Sequence, residues 1–152
     1  MKFNFDGASN GNSSQAGYGG VFRSEQGSII KLYFGYIGHD TNNATDFEGL
    51  LQGLIITHQS NFAKMIIEGD SQIIIHMMKR ILSGSCIDKV IQKWRMEYHL
   101  HQLKFLLSPN RVLLPQHIMI IGNKLASKLA NKGVKLHQHP QLTAGRNGRT
   151  LL

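Results

Sequence analysis

The fold is decided by one stretch of the chain, Ala63-Lys64-Met65-Ile66-Ile67-Glu68-Gly69-Asp70-Ser71-Gln72. Its first six residues form a short apolar run bounded by polar residues, which is typical of a buried central strand. Asp70 and Ser71 then open a helix whose apolar residues recur at helical spacing. A buried strand that leads directly into a helix predicts an α/β protein.

Three strands are predicted before this stretch. Residues 2–6 alternate polar and apolar side chains, which is the period of a strand. Gly19–Arg23 predicts a second strand, and Ile29–Gly38, rich in β-branched and aromatic residues, predicts a third. Turn-forming residues separate them at 10–14 and 25–28. The N-terminal part of the chain is therefore predicted to be an antiparallel meander.

The rest of the chain alternates helices and strands. The predicted helices are Ala44–His58, the helix that begins at Ser71 and ends at Gly84, Ile87–Leu107, and Gly122–Lys132 with Gly133 as its cap. Val112–Met119 predicts a last strand at the edge of the sheet, because Pro115 cannot donate to a neighbouring strand. A meander followed by strand–helix–strand crossovers predicts a mixed sheet with helices on its faces.

Composition predicts one domain and a basic tail. The chain has 152 residues, of which 41% are hydrophobic, and this favours a single globular domain. We assign that domain to residues 1–134. From Lys135 onward there is no acidic residue and little apolar content, so residues 135–152 are predicted to form a flexible basic tail.

Charge indicates the kind of partner. Seventeen Lys and Arg against nine Asp and Glu give a net charge of +8, which favours binding to a polyanion such as nucleic acid. The alternative is a basic protein whose charge serves solubility alone. No apolar run approaches the ~18 residues of a membrane span. The N-terminus has no signal-peptide pattern and Cys86 is the one cysteine, so we expect an intracellular monomer, nuclear or cytoplasmic, that does not contact membranes.

Three short acidic motifs lie at the ends of predicted elements. They are Phe5-Asp6-Gly7-Ala8-Ser9, Thr41-Asn42-Asn43-Ala44-Thr45-Asp46 and Glu68-Gly69-Asp70-Ser71-Gln72. Only nine acidic residues are present in the whole chain, so three carboxylates at such positions indicate a common site. Carboxylates gathered around a divalent ion within a positive field are suited to work on a phosphodiester.

These motifs carry a family resemblance. Together with Ala16-Gly17-Tyr18-Gly19-Gly20-Val21-Phe22 and His117-x5-Asn123-x3-Ser127-x-Leu129-Ala130, they resemble the ribonuclease H family. The closing Leu129–Gly133 is similar to the plant, reverse-transcriptase-like branch of that family. The resemblance covers Lys2 to Val134. It implies a three-layer α/β/α fold whose five-stranded mixed sheet has three antiparallel strands and further parallel strands, flanked by helices.

The resemblance also implies an activity, which is metal-dependent endonucleolytic hydrolysis of the RNA strand in an RNA–DNA hybrid. Four carboxylates hold two Mg²⁺ ions in the family, and Mn²⁺ is the expected substitute here. By position, Asp6 bridges both ions, and Asp46 and Asp70 complete the ion on the leaving-group side. Ser127 stands at the fourth position.

This chain departs from the family pattern at two of those positions. Asp46 replaces a glutamate and is one methylene shorter. Glu48 follows two residues later, but it is turned about 200° around the helix and so faces away. Ser127 replaces an aspartate, and a neutral hydroxyl is a poor substitute for a carboxylate ligand. The resemblance therefore implies an eroded active site with weakened hydrolysis.

Substrate contacts are implied with fewer departures. By resemblance, Asn42, Asn43 and Gln72 reach the minor groove of the hybrid, where 2′-hydroxyls are displayed, and Thr41 holds a DNA phosphate. A helix-capping role for the two asparagines is an equal alternative. His117 matches a histidine found near the site in some members, or simply ends its strand. The competing function is an inactive, retroelement-derived module that binds nucleic acid or protein.

Overall fold

The computed structural model describes residues 1–9, 14–84, 102–103, 105–107, 111–136 and 149–151. The predicted turn at 10–13, Cys86, most of the predicted helix Ile87–Leu107 and most of the predicted tail lie outside the described residues. Within that predicted helix, residues 102–103 and 105–106 are described and are helical. Leu103 and Leu106 from this stretch are buried in the main core.

Six strands form one sheet in the described residues. They are β1 (Lys2–Ser9), β2 (Ser14–Arg23), β3 (Ile29–Asp40), β4 (Lys64–Gly69), β5 (Val112–His117) and β6 (Arg149–Leu151). Their order across the sheet is β5-β4-β1-β2-β3-β6. β2 is antiparallel to both β1 and β3, β4 is parallel to β1, and β5 is parallel to β4. The first five strands confirm the predicted five-stranded mixed sheet. β6 adds a short antiparallel strand beside β3 that the sequence did not predict.

Helices begin where the capping residues predict. In the described residues the α-helices are α1 (Asn42–His58), α2 (Gln72–Leu82) and α3 (Lys124–Lys135), and a 3-10 turn at Ile120–Asn123 precedes α3. The hydroxyl of Thr41 accepts from the Ala44 N–H at 3.3 Å, and that of Ser71 accepts from the Ile74 N–H at 3.4 Å. These bonds satisfy amides that lack partners within the helix. Gly84 follows α2 with φ of 84°, as expected for a residue that ends a helix.

The helices cover both faces of the sheet. Alternate side chains of β1 point to opposite faces, so Phe3 and Phe5 pack under α1 and α2 while Asn4 and Asp6 point toward α3. A second cluster lies under α3, formed by Val21, Phe34, Leu129 and Leu136. The predicted three-layer α/β/α architecture is confirmed.

Gly133 was predicted to cap the last helix, and this is wrong. It lies inside α3, which continues to Lys135. A Cβ at Gly133 would come within 2.2 Å of the Gly35 carbonyl oxygen on β3. Gly17 and Gly19 on β2 likewise face the α3 backbone at Val134 and Ala130. These glycines therefore bring the helix close to the sheet.

The edge prediction for Pro115 is confirmed, because β5 is the last strand on its side of the sheet. β5 ends at His117, two residues earlier than predicted, and α3 begins at Lys124 rather than Gly122. In the part of the chain that the structure describes, no helix has both the length and the apolar composition to span a membrane.

Candidate functional site

Three elements bring the predicted carboxylates to one end of the sheet. Asp6 lies on β1, Asp46 lies in α1, and Asp70 directly follows β4. β1 and β4 are parallel neighbours in which Asn4 pairs with Glu68, so the register continued by two residues brings Asp70 level with Asp6. The topology of the sheet, rather than proximity in sequence, assembles the site.

Asp6 and Asp46 share one hydrogen-bond donor. The Gly7 N–H donates to Oδ1 of Asp6 and to Oδ1 of Asp46, at 2.9 Å in each case. A Cβ at Gly7 would lie 2.5 Å from the Asp46 backbone nitrogen, so a glycine here lets α1 approach β1 closely. Two carboxylates are thus held side by side on one amide.

Burial leaves these carboxylates short of counter-charge. Burial, and after it the charge of Asp70, raises the pKa of Asp6 to about 6, although hydrogen bonds with Gly7, Asp46 and Ser127 oppose the rise. Burial, followed by the charge of Asp6 and a hydrogen bond to it, raises the pKa of Asp46 to about 8. Near neutral pH the pair therefore retains a proton, because two adjacent buried carboxylates resist double ionisation.

Asp70 has a different environment. Burial raises its pKa, while its own backbone N–H, the Asn123 amide and the charge of His117 lower it. The Nε2 atom of His117 lies 3.2 Å from the carbonyl oxygen of Asp70, which ties the end of β5 to the end of β4. Asp70 is half-buried, and its hydrogen bonds and the charge of His117 oppose the effect of burial on its pKa.

Asn123 belongs to the site, although the sequence motifs do not predict it as a site residue. It is 1% exposed and lies just before α3. Its Nδ2 donates to the Phe5 carbonyl at 2.9 Å, and its Oδ1 accepts from Asn4 Nδ2 at 3.3 Å. Asn123 thereby fixes the start of α3 to β1 beside Asp70. Its position between His117 and Ser127 in the last motif was the signal available from the sequence.

Ser127 lies close to Asp6. It is in the first turn of α3, and its side chain forms a hydrogen bond with Asp6 that lowers the pKa of that carboxyl. The structure thus brings the fourth motif position to the carboxylates. What it supplies there is a hydroxyl, which adds a hydrogen bond but no negative charge.

The donor atoms suit a hard divalent cation, although they are not gathered at one point. In residues 1–9, 14–84, 111–136 and the shorter described stretches, no three His, Cys, Asp or Glu side chains stand within reach of a common metal ion. The expected three-carboxylate cluster is therefore formed only in part. Its chemistry still fits, because Mg²⁺ and Mn²⁺ prefer carboxylate oxygens, and Asp6 and Asp46 are neighbouring carboxylates whose pKa values are raised by burial and then by like charge.

Glu48 is engaged elsewhere. Its Oε1 accepts from Gln52 Nε2 at 2.8 Å on the same helix, and its charge acts on Tyr18. This agrees with the expectation that Glu48 faces away from the carboxylates.

The expected substrate-contact residues lie at two helix N-termini. Thr41 is the cap of α1, so the capping alternative applies to Thr41 rather than to Asn42 or Asn43, which are helical. Oδ1 of Asn42 accepts from the Ser9 hydroxyl at 2.6 Å. Gln72 is the first residue of α2 and is exposed.

A groove runs from Asp70 along the starts of α2 and α3. Its volume is about 900 Å³, and its lining is Asp70, Ser71, Gln72, Ile73, His117, Met119, Ile120, Ile121 and Lys124. Met119, Ile120 and Ile121 are 73–75% exposed, which is unusual for three consecutive apolar side chains. The groove joins one carboxylate, an amide and a lysine to an apolar wall.

Comparison with known proteins covers most of the chain. A family model described as "Reverse transcriptase-like" matches residues 4–133. Ribonuclease HI of Halobacterium salinarum is 36% identical over 70 residues, which are 46% of this chain and 35% of that protein. The matched part of the chain thus spans about a third of the length of this curated relative.

Solved structures share the fold. Ribonuclease H1 of Halobacterium salinarum superposes with a TM-score of 0.70 at 27% identity, covering 88% of this chain and 96% of the other. The N-terminal ribonuclease H domain of a Mycobacterium tuberculosis protein gives 0.71 at 23% identity, covering 93% and 99%. LC11 ribonuclease H1, solved in complex with an RNA/DNA hybrid, gives 0.69 at 23% identity, covering 90% and 98%.

Proposed function

The chain belongs to the reverse transcriptase-like family of ribonuclease H domains, and from that membership we propose that it binds RNA–DNA hybrids and hydrolyses their RNA strand weakly. The observation that carries the proposal is the carboxylate pair Asp6–Asp46 on the Gly7 amide, with Asp70 acting on both charges. The Halobacterium relative and the hybrid-bound LC11 structure support the ribonuclease H type of function.

Asp6, Asp46 and Asp70 are the residues that would hold divalent cations, either Mg²⁺ or Mn²⁺. Such ions, when bound, supply an activated water and neutralise charge on the scissile phosphate. Asp6 is rigidly placed for this role, since it lies on a central strand and is only 8% exposed. Asn123 and His117 position Asp70 through its side chain and its carbonyl oxygen.

Ser127 is the reason that we propose weakened rather than full hydrolysis. Its hydroxyl cannot replace the negative charge of an aspartate next to Asp6. The loss of a few kcal/mol of transition-state stabilisation lowers a rate by about a hundredfold or more. The site keeps three carboxylates that would bind a cation, but it lacks the fourth, which Ser127 replaces.

Substrate binding is proposed to use the polar residues at the starts of α1 and α2, of which Asn43 is half-buried and the others are exposed. The amides of Asn42, Asn43 and Gln72 can both donate and accept, which suits contact with 2′-hydroxyl groups in a minor groove. Thr41 is proposed to contact a phosphate of the DNA strand. The N-terminus of α1 adds a partial positive charge at that point.

The proposal is tested by measuring hybrid binding and cleavage in Mg²⁺, in Mn²⁺ and with a chelator. We expect slow, metal-dependent cleavage of the RNA strand, faster in Mn²⁺, with the Halobacterium ribonuclease HI as the positive control. Asp6→Asn is the matched control, and we expect it to abolish cleavage and also the rise in unfolding temperature that Mn²⁺ causes. A protein that neither prefers a hybrid to a DNA duplex nor responds to metal contradicts the proposal.

The second candidate is a module that binds nucleic acid or protein without cutting, of retroelement origin. Two observations favour it: the neutral hydroxyl at Ser127, and the incomplete gathering of the three carboxylates. Salt-sensitive binding of hybrid without any cleavage in Mn²⁺ would select this candidate over the enzyme.

A further inference from the structure

One face of α3 carries a row of lysines. Lys124, Lys128, Lys132 and Lys135 are all exposed. At 100° per residue they fall within an arc of about 80°, and at 1.5 Å per residue they extend about 16 Å along the helix. We call these four residues the lysine row. α3 contains no acidic residue.

The first half of the lysine row reduces the stability of the helix that carries it. Lys124 with Lys128, and Lys128 with Lys132, are like-charged pairs four residues apart, and each such pair costs about 0.2–0.5 kcal/mol. Lys124 is also the first residue of α3, where the helix dipole already places positive charge. In the described part of the chain no salt bridge joins a carboxylate to the lysine row. Lys132 and Lys135 lie in the last turn of α3, where the helix dipole favours positive charge, but stabilisation of the helix does not explain Lys124 and Lys128.

The lysine row begins at the candidate site. Lys124 lines the groove with Asp70 and His117, and Lys128 follows Ser127, the residue bonded to Asp6. Lys128, Lys132 and Lys135 lie one to three turns further along α3, too far along the helix for all of them to serve the carboxylates. Lys132 also packs its Nζ 5.1 Å from the centre of the Phe34 ring, which holds that side chain against β3.

We propose that the lysine row binds the phosphate backbone of a nucleic-acid strand that continues beyond the candidate site. The lysine row is about 16 Å long and contains no acidic residue, so its charge is complementary to that of a linear polyanion. Lysine is a compact point charge that binds phosphate without reading the bases, so this contact is independent of sequence. The proposal deepens the proposed function and rests on it for the identity of the polymer in the site.

The test compares three variants by fluorescence anisotropy with a labelled hybrid, a DNA duplex and a single-stranded RNA. The row variant is K124Q/K128Q/K135Q, which spares Lys132 because of its contact with Phe34. The matched control K31Q/K64Q/K79Q removes the same charge from β3, β4 and α2. The charge-preserving variant K124R/K128R/K135R shows whether α3 tolerates substitution at these positions, and thermal unfolding checks that all three proteins fold.

In the row variant we expect affinity for every probe to fall about tenfold to hundredfold near physiological salt, and the slope of log K against log salt to decrease by about two to three. The arginine variant should keep both values, and the control should change them much less. Equal losses in the row variant and the control would overturn the proposal, because net charge alone would then explain binding. Binding to anionic lipid vesicles that depends on the lysine row, with nucleic-acid binding unchanged, would overturn it in favour of a membrane surface.

The two proposals fail in different ways. Hybrid binding that does not depend on the lysine row removes the lysine-row proposal and leaves the proposed function intact. Equal affinity for all three probes with a row-dependent slope removes the hybrid specificity, while the lysine row remains a phosphate-binding surface.

Discussion

The side chain at position 127 sets how much negative charge surrounds Asp6. Its hydroxyl stabilises the ionised form of Asp6 by a hydrogen bond, whereas a carboxylate there would add repulsion that only a cation relieves. Replacing Ser127 by aspartate is therefore expected to lower the stability of the metal-free protein and to raise its affinity for a cation.

Ser127→Asp is expected to increase hybrid cleavage in Mn²⁺ by about a hundredfold, corresponding to about 3 kcal/mol of transition-state stabilisation. The same variant should unfold at a lower temperature in the presence of a chelator and gain more from added metal. Cleavage rates and thermal unfolding of both proteins provide the measurement. Ser127→Asn is the neutral control and should do neither. If the unmodified protein already cleaves as fast as the aspartate variant, the site is not eroded at this position.

Asp46→Asn is expected to stabilise the protein at pH 8 in a chelator. The pKa of Asp46 is about 8 in the folded protein and 3.8 as a free side chain, so the folded state binds more protons between these values. Stability from this group is therefore present below pH 4 and is lost as the pH rises toward 8. Asparagine removes the charge, and we expect a rise in unfolding temperature of about 4 °C at pH 8 and little change at pH 4.5.

Glu25→Gln is the matched control for that measurement, because Glu25 is exposed in the turn between β2 and β3. It should leave the unfolding temperature nearly unchanged at both values of pH. An Asp46→Asn protein that gains as much at pH 4.5 as at pH 8 would show that repacking, and not ionisation, causes the effect.

Local sequence patterns predict the strands and helices that are determined by residues close together in the sequence. β1 follows from its two-residue period and β3 from its β-branched and aromatic residues, and α1 and α2 follow from their caps at Thr41 and Ser71. Pro115 lies on an edge strand because its missing N–H allows no other position. The three carboxylates could be found because each lies in or directly beside such an element, within a recognisable motif.

Features that depend on distant partners could not be found in this way. Asn123 is hydrogen-bonded to Phe5 and Asn4, which are 118 and 119 residues away in the sequence. β6 has three residues and exists through its pairing with β3. Glycine commonly ends helices, which predicts a cap at Gly133, and the contact of Gly133 with Gly35 appears only once α3 is packed on the sheet.

Gly133→Ala is expected to destabilise the protein by about 1–3 kcal/mol, because the new methyl group would displace α3 from β3. Gly122→Ala is the matched control in the 3-10 turn just before α3. There the nearest atom to an added Cβ, on Ile118, is 3.8 Å away, which is ordinary contact. Chemical denaturation of the two variants and of the unmodified protein measures the difference. Equal stability of the two variants would mean that α3 does not need the close approach.

At the scale of the whole molecule, charge is divided between two neighbouring surfaces. The carboxylates lie at one end of the sheet, and the lysine row starts beside them and continues along α3. The net charge of +8 attracts a polyanion to the protein. The carboxylates at the site repel its phosphates, so cations are needed there to bring the two together. Binding should therefore depend on monovalent salt through the lysines and on divalent metal through the carboxylates, and these two dependences can be measured separately.

The C-terminal boundary of the folded domain is expected to lie near Leu136 and can be tested by truncation. The sequence predicts a boundary after Val134, but Leu136 is 1% exposed and packs with Val21, Phe34 and Leu129. A chain ended after Leu136 is expected to fold with a slightly lower unfolding temperature, since among the described residues it loses the three pairs between β3 and β6. A chain ended after Val134 also loses the buried leucine, which costs about 2 kcal/mol or more and lowers the unfolding temperature by a further 4–8 °C or so. Thermal unfolding of the two truncated proteins is the measurement. Equal stability of the two would place the domain boundary at Val134. An unfolded chain 1–136 would mean that residues 137–152 belong to the domain rather than to a flexible tail.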